Sequence, residues 1–193
     1  MGIKLLRDYY LSEDVVSLAH DLLGKVLFTN EKGRISAGLI TETEAYAGII
    51  DRASHAYGDR RTARTSVMYR DGGVAYIYIC YGMHSLFNVV TAPSGTPHAI
   101  LIRAIRPVDG EDIMLQRLGK PIWRKDLTNG PGKVSRALGL HYSMSGEDLT
   151  GSRIWIEDCG IRPALAETTA TPRIGVGYAG EDAFLPYRFC WQG

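Results

Sequence analysis

The sequence predicts a mixed α/β (α+β) fold with a largely antiparallel, curved sheet, flanking helices and a protruding β-hairpin. Short runs rich in β-branched and aromatic residues recur along the chain, with tight turns between them. Few segments have helical spacing, and few helices separate one strand from the next, which favours antiparallel pairing. The 193 residues contain no repeat, low-complexity tract or linker, so residues 1–193 are predicted to form a single domain.

The composition is that of an ordinary globular protein, with 45% hydrophobic residues, 22% charged residues and a net charge of +1. The three cysteines are far apart and form no Cys-x-x-Cys pair. A disulfide framework and a zinc site are therefore disfavoured, and a reducing compartment is expected. The first residues do not have the pattern of a signal peptide, and no apolar run is long enough to span a bilayer.

The first helix is predicted to begin at Ser12, whose hydroxyl is placed to cap it, and to end before Gly24. Apolar residues recur between these two positions at helical spacing. The runs Val26–Thr29 and Ile35–Thr43 then have the composition of strands, with a polar turn between them.

The segment Val74–Tyr81 has the strongest strand pattern in the chain, because it is β-branched and aromatic without a breaker. A turn at Gly82 and a returning strand, His84–Thr91, complete a hairpin. Pro131 suits the first turn of a later helix. The remaining predicted elements are the strands Ala99–Ile105, Ser152–Glu157, Ile174–Gly177 and Tyr187–Trp191 and the helices Asp109–Leu118 and Val134–Leu138.

A long segment, residues 48–68, shows no period and is predicted to form a functional loop. The stretch from Arg52 to Arg70 contains five arginines against one acid, Asp59, a local excess of four positive charges. This excess predicts attraction to a polyanion, and a solvated loop is the alternative.

Two carboxylates, Glu42 and Glu44, end the second predicted strand on the same side of it, because side chains alternate along a strand. A carboxylate in a partly apolar setting can act as a general base for water. A surface ion pair with a nearby arginine is the alternative for each. Spacing alone leaves open which of the two would be the base.

Flat rings are frequent near these carboxylates and in the hairpin: Tyr46, His55, Tyr76, Tyr78 and Tyr81. Such rings can hold a planar base by stacking, although Tyr76 is expected simply to pack in the sheet. Tyr81 comes at the predicted hairpin tip, where a ring can wedge between base pairs. A merely exposed ring is the alternative at that position.

Two glycine-rich motifs fall short of nucleotide-binding fingerprints. Gly130–Lys133 lacks the first glycine and the Ser or Thr of a P-loop, so it predicts at most a helix start that holds one phosphate, with plain capping as the alternative. Gly175–Gly177 lacks the third glycine and the βαβ setting of a dinucleotide site. His55 has no His or Cys at ligand spacing, so no metal site is predicted.

Together these motifs resemble the alkyladenine (3-methyladenine) DNA glycosylase family, of the single-domain type without a helix-hairpin-helix. Their order and spacing agree along nearly the whole chain. The resemblance rests on Glu-Thr-Glu-Ala-Tyr (42–46), His55, the segment 76–83, Asn88, Leu101–Ala104, Asn129–Lys133 and Arg173–Gly177.

The resemblance implies a pocket for a flipped base. Glu44 would be the general base that activates water. Tyr46 would be the ring on one side of the base, and His55 with Tyr78 would be the rings on the other side. Asn88 would crowd the exocyclic amine of normal guanine.

The resemblance also implies that Arg103 lies near the base and the water. Tyr81, with Met83 beside it, would enter the duplex at the hairpin tip. The chemistry of guanidinium and ammonium groups predicts that further basic residues face the backbone phosphates: Arg60, Arg61, Arg64 and Lys133.

The implied function is that of a monofunctional DNA glycosylase in base excision repair, which flips damaged purines out of duplex DNA and hydrolyses the N-glycosidic bond. The implied substrates are alkylated or deaminated purines, namely 3-methyladenine, 7-methylguanine, hypoxanthine and ethenoadenine. No cofactor, metal, membrane or obligate protein partner is expected. The protein is expected to be a monomer in the cytoplasm, associated with the nucleoid, or in the nucleus of a eukaryote.

Two other functions compete with this one. The first is a non-catalytic nucleic-acid-binding domain that uses the aromatic hairpin and the basic loop, with Glu44 in an ion pair. The second is a glycoside hydrolase acting through Glu42 and Glu44, which needs carboxylates on either side of a sugar bond, roughly 5–9.5 Å apart. The glycosylase interpretation requires Glu44 to face a cleft bordered by Tyr46 and Tyr78 and not to be sealed in the interior.

Overall fold

The structure, a computed structural model, describes residues 2–192. Within them the strands are β1 (Ile3–Lys4), β2 (Val26–Glu31), β3 (Arg34–Tyr46), β4 (Ala75–Cys80), β5 (His84–Thr91), β6 (His98–Asp109), β7 (Ile154–Asp158), β8 (Thr168–Thr171) and β9 (Arg188–Trp191). The α-helices are α1 (Arg7–Tyr10), α2 (Val15–Asp21), α3 (Glu111–Leu118) and α4 (Pro131–Leu138). Short 3₁₀ helices span Gly48–Ile50, Tyr57–Asp59, Ser66–Tyr69, Lys125–Thr128, Tyr142–Met144, Leu165–Glu167 and Gly177–Phe184.

The described strands form one antiparallel sheet in the order β1-β7-β2-β3-β6-β5-β4, and β9 and β8 extend from β3. Strand β3 is the longest. Its first half pairs with β2, and Glu42–Glu44 in its second half pair with β9, while β6 pairs with it from Ala37 to Tyr46. The predicted α+β class with a largely antiparallel sheet is confirmed.

Strand β3 does not pair evenly with β6. The register shifts between Ala37 and Gly38 and again on both sides of Glu42. Such irregularities bend a strand and increase its twist. The bend therefore lies beside the two carboxylates and turns the end of β3.

The helices bury their apolar faces against the sheet. Leu22 beside α2, Met114 of α3 and Val134 of α4 have no exposed surface, and they pack in one core with strand residues such as Phe87 and Ile100. Burying each side chain of this size stabilises the fold by about 1.5–3 kcal/mol. This core fixes β3, β5 and β6, the strands that carry Glu44, Tyr46, Asn88 and Arg103.

Strands β4 and β5 form the predicted hairpin, with Cys80 opposite His84. Its tip turns through Tyr81 (φ 52°) and Gly82 (φ 71°), both in the left-handed region. Two successive residues with positive φ form a tight hairpin turn, and a tyrosine adopts this region less readily than glycine. The turn places Tyr81 at the tip. The predicted protruding hairpin is present.

The start of the first long helix differs from the prediction. Helix α2 begins at Val15, and its cap is Asp14, whose carboxylate accepts from the backbone N–H of Ser17 at 2.9 Å. Ser12 accepts instead from the N–H of Asp14. An anionic cap suits the positive end of a helix better than a hydroxyl does.

The predicted strand Ile174–Gly177 is wrong. Gly175 has a φ of +77°, which breaks an extended run, and a 3₁₀ segment begins at Gly177. The strand in this part of the chain is β8, which lies just before this segment and pairs with β9. The sequence did not predict β1, α1 or β8, which are two to four residues long and therefore too short to show a period.

No helix among residues 2–192 is both long and apolar enough to cross a lipid bilayer.

Candidate active site

A cleft of about 660 Å³ opens between the end of β3, the hairpin tip, the start of α4 and the loop after Arg173. It is lined by many of the residues that the sequence analysis selected: Glu44, Tyr46, His55, Arg64, Tyr78, Tyr81, Arg103 and Lys133. A recess of about 40 Å³ lies next to it, bordered by Tyr46, His55, Tyr78 and Asn88. The fold thus gathers at one place residues from distant parts of the chain.

Glu44 borders the cleft, but its side chain has no exposed surface. Three donors hold the carboxylate. The backbone N–H of Ile174 donates to Oε1 at 2.7 Å, and the Tyr46 hydroxyl donates to Oε2 at 2.8 Å. Arg103 Nη1 donates to Oε2 across a longer 3.4 Å. The required position beside a cleft bordered by Tyr46 and Tyr78 is found, but the requirement that the side chain not be sealed in the interior is not met, because no part of it is exposed.

The surroundings of Glu44 favour a proton acceptor. Burial raises the pKa of its carboxyl above the ordinary 4.5, and nearby Glu42 raises it further. Arg103, the Ile174 N–H and the Tyr46 hydroxyl oppose this increase because they stabilise the ionised form. Burial also raises the pKa of the Tyr46 phenol well above its ordinary value, which keeps that hydroxyl a donor to Glu44.

The second carboxylate, Glu42, is committed to ion pairs. Its Oε1 accepts from Arg103 Nε at 2.9 Å and from Arg188 Nη1 at 2.9 Å. Glu42 borders a separate cavity near Trp191, whereas Glu44 borders the cleft. The two carboxylates share one guanidinium and do not flank a common cleft, which argues against a glycoside hydrolase and distinguishes Glu44 as the candidate base.

Aromatic rings line the recess. The ring of Tyr46 packs against the guanidinium of Arg173, 4.8 Å from its centroid. His55 and Tyr78 lie together, with ring centroids 4.6 Å apart at an interplanar angle of 79°. Because these two rings meet edge to face, they present different surfaces to the recess rather than one flat wall.

His55 is neutral. Arg64 Nη2 lies 2.8 Å from His55 Nε2, and His55 Nδ1 lies 2.9 Å from the hydroxyl of Tyr76. The same Nη2 lies farther from Nδ1, at 3.2 Å. Because a guanidinium can only donate and Nε2 is the nearer nitrogen, Nε2 is assigned as the acceptor and Nδ1 carries the ring proton. Burial and then the charges of Arg64 and Arg60 lower the pKa of His55 to about 4. Tyr76 is buried, as the expectation of simple packing requires.

The three arginines of the basic loop have different surroundings. Arg64 lies over the ring of Tyr78, 4.8 Å from its centroid, at the edge of the cleft. Arg61 pairs with Asp59 at 3.2 Å and is exposed, as is Arg60. The contact of all three with backbone phosphates remains a prediction.

Asn88 lies in β5 and is 3% exposed at the recess. Its side-chain nitrogen donates to the carbonyls of Tyr76 at 3.1 Å and of Leu86 at 3.3 Å. Two carbonyl acceptors fix the orientation of the amide, because only its nitrogen can donate. The side-chain oxygen is therefore the polar atom left for the recess.

The hairpin tip projects into solvent, with Tyr81 91% and Met83 74% exposed. Across the cleft, the N–H of Gly130 donates to the carbonyl of Arg103 at 2.9 Å and ties the start of α4 to β6. Lys133 in the first turn of α4 is exposed, and its Nζ donates to the carbonyl of Asp126 at 2.8 Å. Both edges of the cleft are thus built from positions that the sequence analysis selected.

The role of the loop after Arg173 could not be read from the sequence. The Arg173–Gly177 motif was recognisable, but it predicted a strand and no contact with Glu44. Asp51, which pairs with Arg173 in the interior, had no predicted role. The motif was visible, whereas its partners 122 to 130 residues away were not.

The part of the chain between residues 2 and 192 contains no group of three or more His, Cys, Asp or Glu side chains placed to hold a metal ion.

Comparison with known proteins identifies the family to which this chain is similar. The profile of the methylpurine-DNA glycosylase (MPG) family matches residues 9–193. A relative from Chlamydia felis is 50% identical over 188 residues, which cover 96% of this chain and 94% of the relative. A relative from Desulfitobacterium hafniense is 43% identical over 193 residues, with 96% of this chain and 94% of the relative covered. Both relatives carry the provisional name 3-methyladenine DNA glycosylase.

Proposed function

Because this chain belongs to the methylpurine-DNA glycosylase family, we propose that it is a monofunctional enzyme that excises alkylated and deaminated purines from duplex DNA. Membership of the family makes it a DNA N-glycosylase that acts on methylated purines. The wider substrate range, the single reaction and the roles of individual residues are the content of the proposal.

One observation carries the assignment of the general base: the carboxylate of Glu44 borders the cleft beside the aromatic recess and is held by three donors. An ionised carboxylate has about four acceptor positions. Three donors occupy three of them, and the fourth is proposed to accept from the attacking water, which must enter the site because the side chain has no exposed surface. The donors fix the carboxylate in place, and its raised pKa suits proton abstraction.

The reaction follows from this arrangement. A base inside a duplex is out of reach, so the damaged nucleotide must rotate into the cleft. Water held by Glu44 then attacks the sugar carbon that carries the base. The water proton passes to Glu44, the new C–O bond forms, and the base leaves with the electrons of the broken C–N bond. A positively charged alkylated purine leaves as a neutral molecule, so it needs less assistance than a normal base.

The recess supports selection of purines by shape. Tyr46 is proposed to stack on one face of the flipped base, and His55 and Tyr78 to contact the other. Neutral His55 places no positive charge against a cationic purine. The oxygen of Asn88 is proposed to limit which purine edges fit, and hypoxanthine and ethenoadenine are proposed to be accepted alongside methylated purines.

A single hydrolytic step is proposed because the partners of Glu44 are a phenol, a guanidinium and a backbone amide. None of them is an amine nucleophile of the kind that forms a Schiff base with the sugar. The expected product is an abasic site without a strand break.

The DNA surface is proposed to run from the hairpin tip across the cleft to the basic residues. Tyr81 and Met83 would fill the gap left by the flipped nucleotide, and four cations would approach the phosphates: Arg60, Arg61, Arg64 and Lys133. Residues 1–193 are proposed to act as one glycosylase domain, as a monomer without an obligate protein partner, on the bacterial nucleoid.

Base release from defined duplexes tests the proposal. Duplexes carrying 7-methylguanine, hypoxanthine, ethenoadenine or a methylated adenine are incubated with the enzyme, and abasic sites are revealed by alkaline cleavage. We expect release of methylated purines, no cleavage before alkali, and no covalent adduct after borohydride treatment. A non-catalytic nucleic-acid-binding domain would release no base from any duplex. A borohydride-trapped adduct would contradict the single-step mechanism.

A further inference from the structure

Asp51 and Arg173 form an ion pair that is completely buried beside the cleft, with side chains 1% and 0% exposed. The pair is bidentate: Arg173 Nη1 donates to Oδ2 at 2.5 Å and Nη2 donates to Oδ1 at 2.8 Å. Removing two charges from water carries a large desolvation penalty, so such a pair is poor evidence of stabilisation by itself. Its geometry suggests another use.

Arg173 connects the segments that form the site. Its Nη1 also donates to the carbonyl of Ala45, the residue between Glu44 and Tyr46, at 2.8 Å. Its guanidinium lies 4.8 Å from the ring centroid of Tyr46 and 5.3 Å from that of Tyr187. The next residue in the chain is Ile174, whose N–H donates to Glu44.

Asp51 completes the connection from the other side. Its Oδ2 accepts from the N–H of Ala47 at 3.0 Å, and its Oδ1 accepts from the N–H of Ala53 at 2.9 Å. Both carboxylate oxygens therefore hold backbone as well as Arg173. The pair joins the end of β3, the segment that leads to His55 and the loop at Ile174.

From this geometry we infer that Asp51 and Arg173 are positioning residues of the active site, which aim the Ile174 N–H at Glu44 and fix the ring of Tyr46. Neither side chain is exposed, so neither touches DNA. They act through the carboxylate and the ring that they hold. The inference rests on the proposed function, in which Glu44 is the base and Tyr46 stacks on the substrate.

A positioning role and a purely structural role of this ion pair predict different results. If the pair only stabilised the fold, its loss would lower the melting temperature and leave each folded molecule fully active. If the pair aims the Ile174 N–H, its loss removes a donor that favours the ionised form of Glu44. The acid limb of the rate profile would then move to higher pH, because Glu44 would hold its proton more tightly.

The test uses the full-length protein with Asp51→Asn/Arg173→Gln, which removes both charges and leaves no lone buried ion. Single-turnover base release from a 7-methylguanine duplex is measured between pH 4 and 8, together with duplex affinity and melting temperature. We expect the plateau rate to fall about tenfold and the acid limb to rise by about one pH unit, the size expected from losing one charge-assisted hydrogen bond. Duplex affinity should stay within about twofold.

Arg173→Lys provides a second variant that keeps the charge but loses the planar fork. Arg173→Lys should also lower the plateau rate and move the acid limb to higher pH. It replaces the double variant in the test if the double variant does not fold. The matched control is Arg7→Gln/Asp148→Asn, which removes an ion pair of 2.6 Å that does not border the cleft. This control should melt earlier with a wild-type rate and acid limb.

The outcomes separate the two proposals. A folded pair variant with a wild-type plateau rate and acid limb, in an assay where Glu44→Gln is inactive, would overturn the positioning role alone. A Glu44→Gln enzyme as active as the wild type would overturn the assignment of the base, and the positioning role with it.

Discussion

The backbone N–H of Ile174 donates to Oε1 of Glu44 at 2.7 Å, although 130 residues separate the two positions in the chain. This bond joins the candidate base, on the central strand β3, to a loop near the C-terminal end. Tyr46 and Arg103 complete the set of donors from β3 and β6. The behaviour of Glu44 therefore reports on the assembly of the whole site.

The rate of base release should depend on pH through Glu44. Because burial raises the pKa of its carboxyl, the ionised base is lost as pH falls through a value above the ordinary 4.5. The plateau of single-turnover release should thus end in an acid limb above pH 4.5. His55→Gln is the control: the pKa of His55 is about 4, so this ring stays neutral over the limb and its loss should not move it. A limb at or below pH 4.5 would contradict the raised pKa.

Glu44 should support activity only at pH values where it is ionised, but it should stabilise the fold more at low pH than at neutral pH. A carboxyl whose pKa is higher in the folded state than in the unfolded state contributes stability at low pH, and this contribution is lost as pH rises through the folded pKa. At neutral pH the ionised Glu44 therefore weakens the fold. Glu44→Gln stays neutral. Its amide oxygen can keep the bond from the Ile174 N–H, and the Tyr46 hydroxyl can reverse to accept from the amide nitrogen. Arg103 loses this partner but keeps its pair with Glu42.

We accordingly expect Glu44→Gln to unfold at a higher temperature than the wild type at pH 7, with a gain of about 1 kcal/mol, as is common when a strained functional group is relieved. The gain should shrink as pH approaches 4. Melting curves at both pH values measure it. A gain that is larger at pH 4 than at pH 7 would contradict the linkage.

Tyr81 should matter for flipping the base more than for initial binding. Its ring is 91% exposed and held at the hairpin tip, where it can replace the displaced base in the stack. Tyr81→Ala should lower the single-turnover rate about tenfold or more, since stacking on an aromatic ring is worth about 1–3 kcal/mol. Leu165→Ala, at a position 82% exposed outside the cleft, is the matched control. Equal rates for the two variants would remove the wedge role.

The basic loop should give duplex binding its dependence on salt. Each arginine that contacts a phosphate adds about 0.9 to the slope of log affinity against log salt concentration. Arg60→Gln, Arg61→Gln and Arg64→Gln should each reduce that slope by about this amount, measured by fluorescence anisotropy. Arg34→Gln changes an exposed arginine at the far end of β3 and should leave the slope unchanged. Unchanged slopes for all three loop variants would mean that the loop does not contact phosphates.

The features that the sequence predicts well are local ones. The hairpin depends on a run of strand-forming residues and one glycine turn, and both signals lie within residues 74–91. The prediction of a helix over Val134–Leu138 likewise depends on neighbouring residues, and the structure adds only the turn that begins at Pro131. The signals that predict such elements lie within the elements themselves.

The features that the sequence could not predict depend on contacts across the chain. Spacing placed Glu42 and Glu44 on one side of a strand but did not distinguish them; Arg188, from the far end of the chain, pairs with Glu42 and leaves Glu44 at the cleft. Likewise, Ile174–Gly177 has the composition of a strand, and only Gly175 at positive φ turns it toward Glu44. The contact of Arg64 with the ring of Tyr78, 4.8 Å from its centroid, likewise joins two separate segments and could not be predicted from spacing.

The most direct test compares Glu44→Gln with Glu42→Gln on a 7-methylguanine duplex, with base release and duplex affinity measured side by side. If Glu44 deprotonates the attacking water, Glu44→Gln should bind the duplex as the wild type does and release the base about 10²–10⁴ times more slowly. Glu42→Gln keeps an acceptor for Arg103 and should lose less than about tenfold. Base release by Glu44→Gln at the wild-type rate would contradict the account.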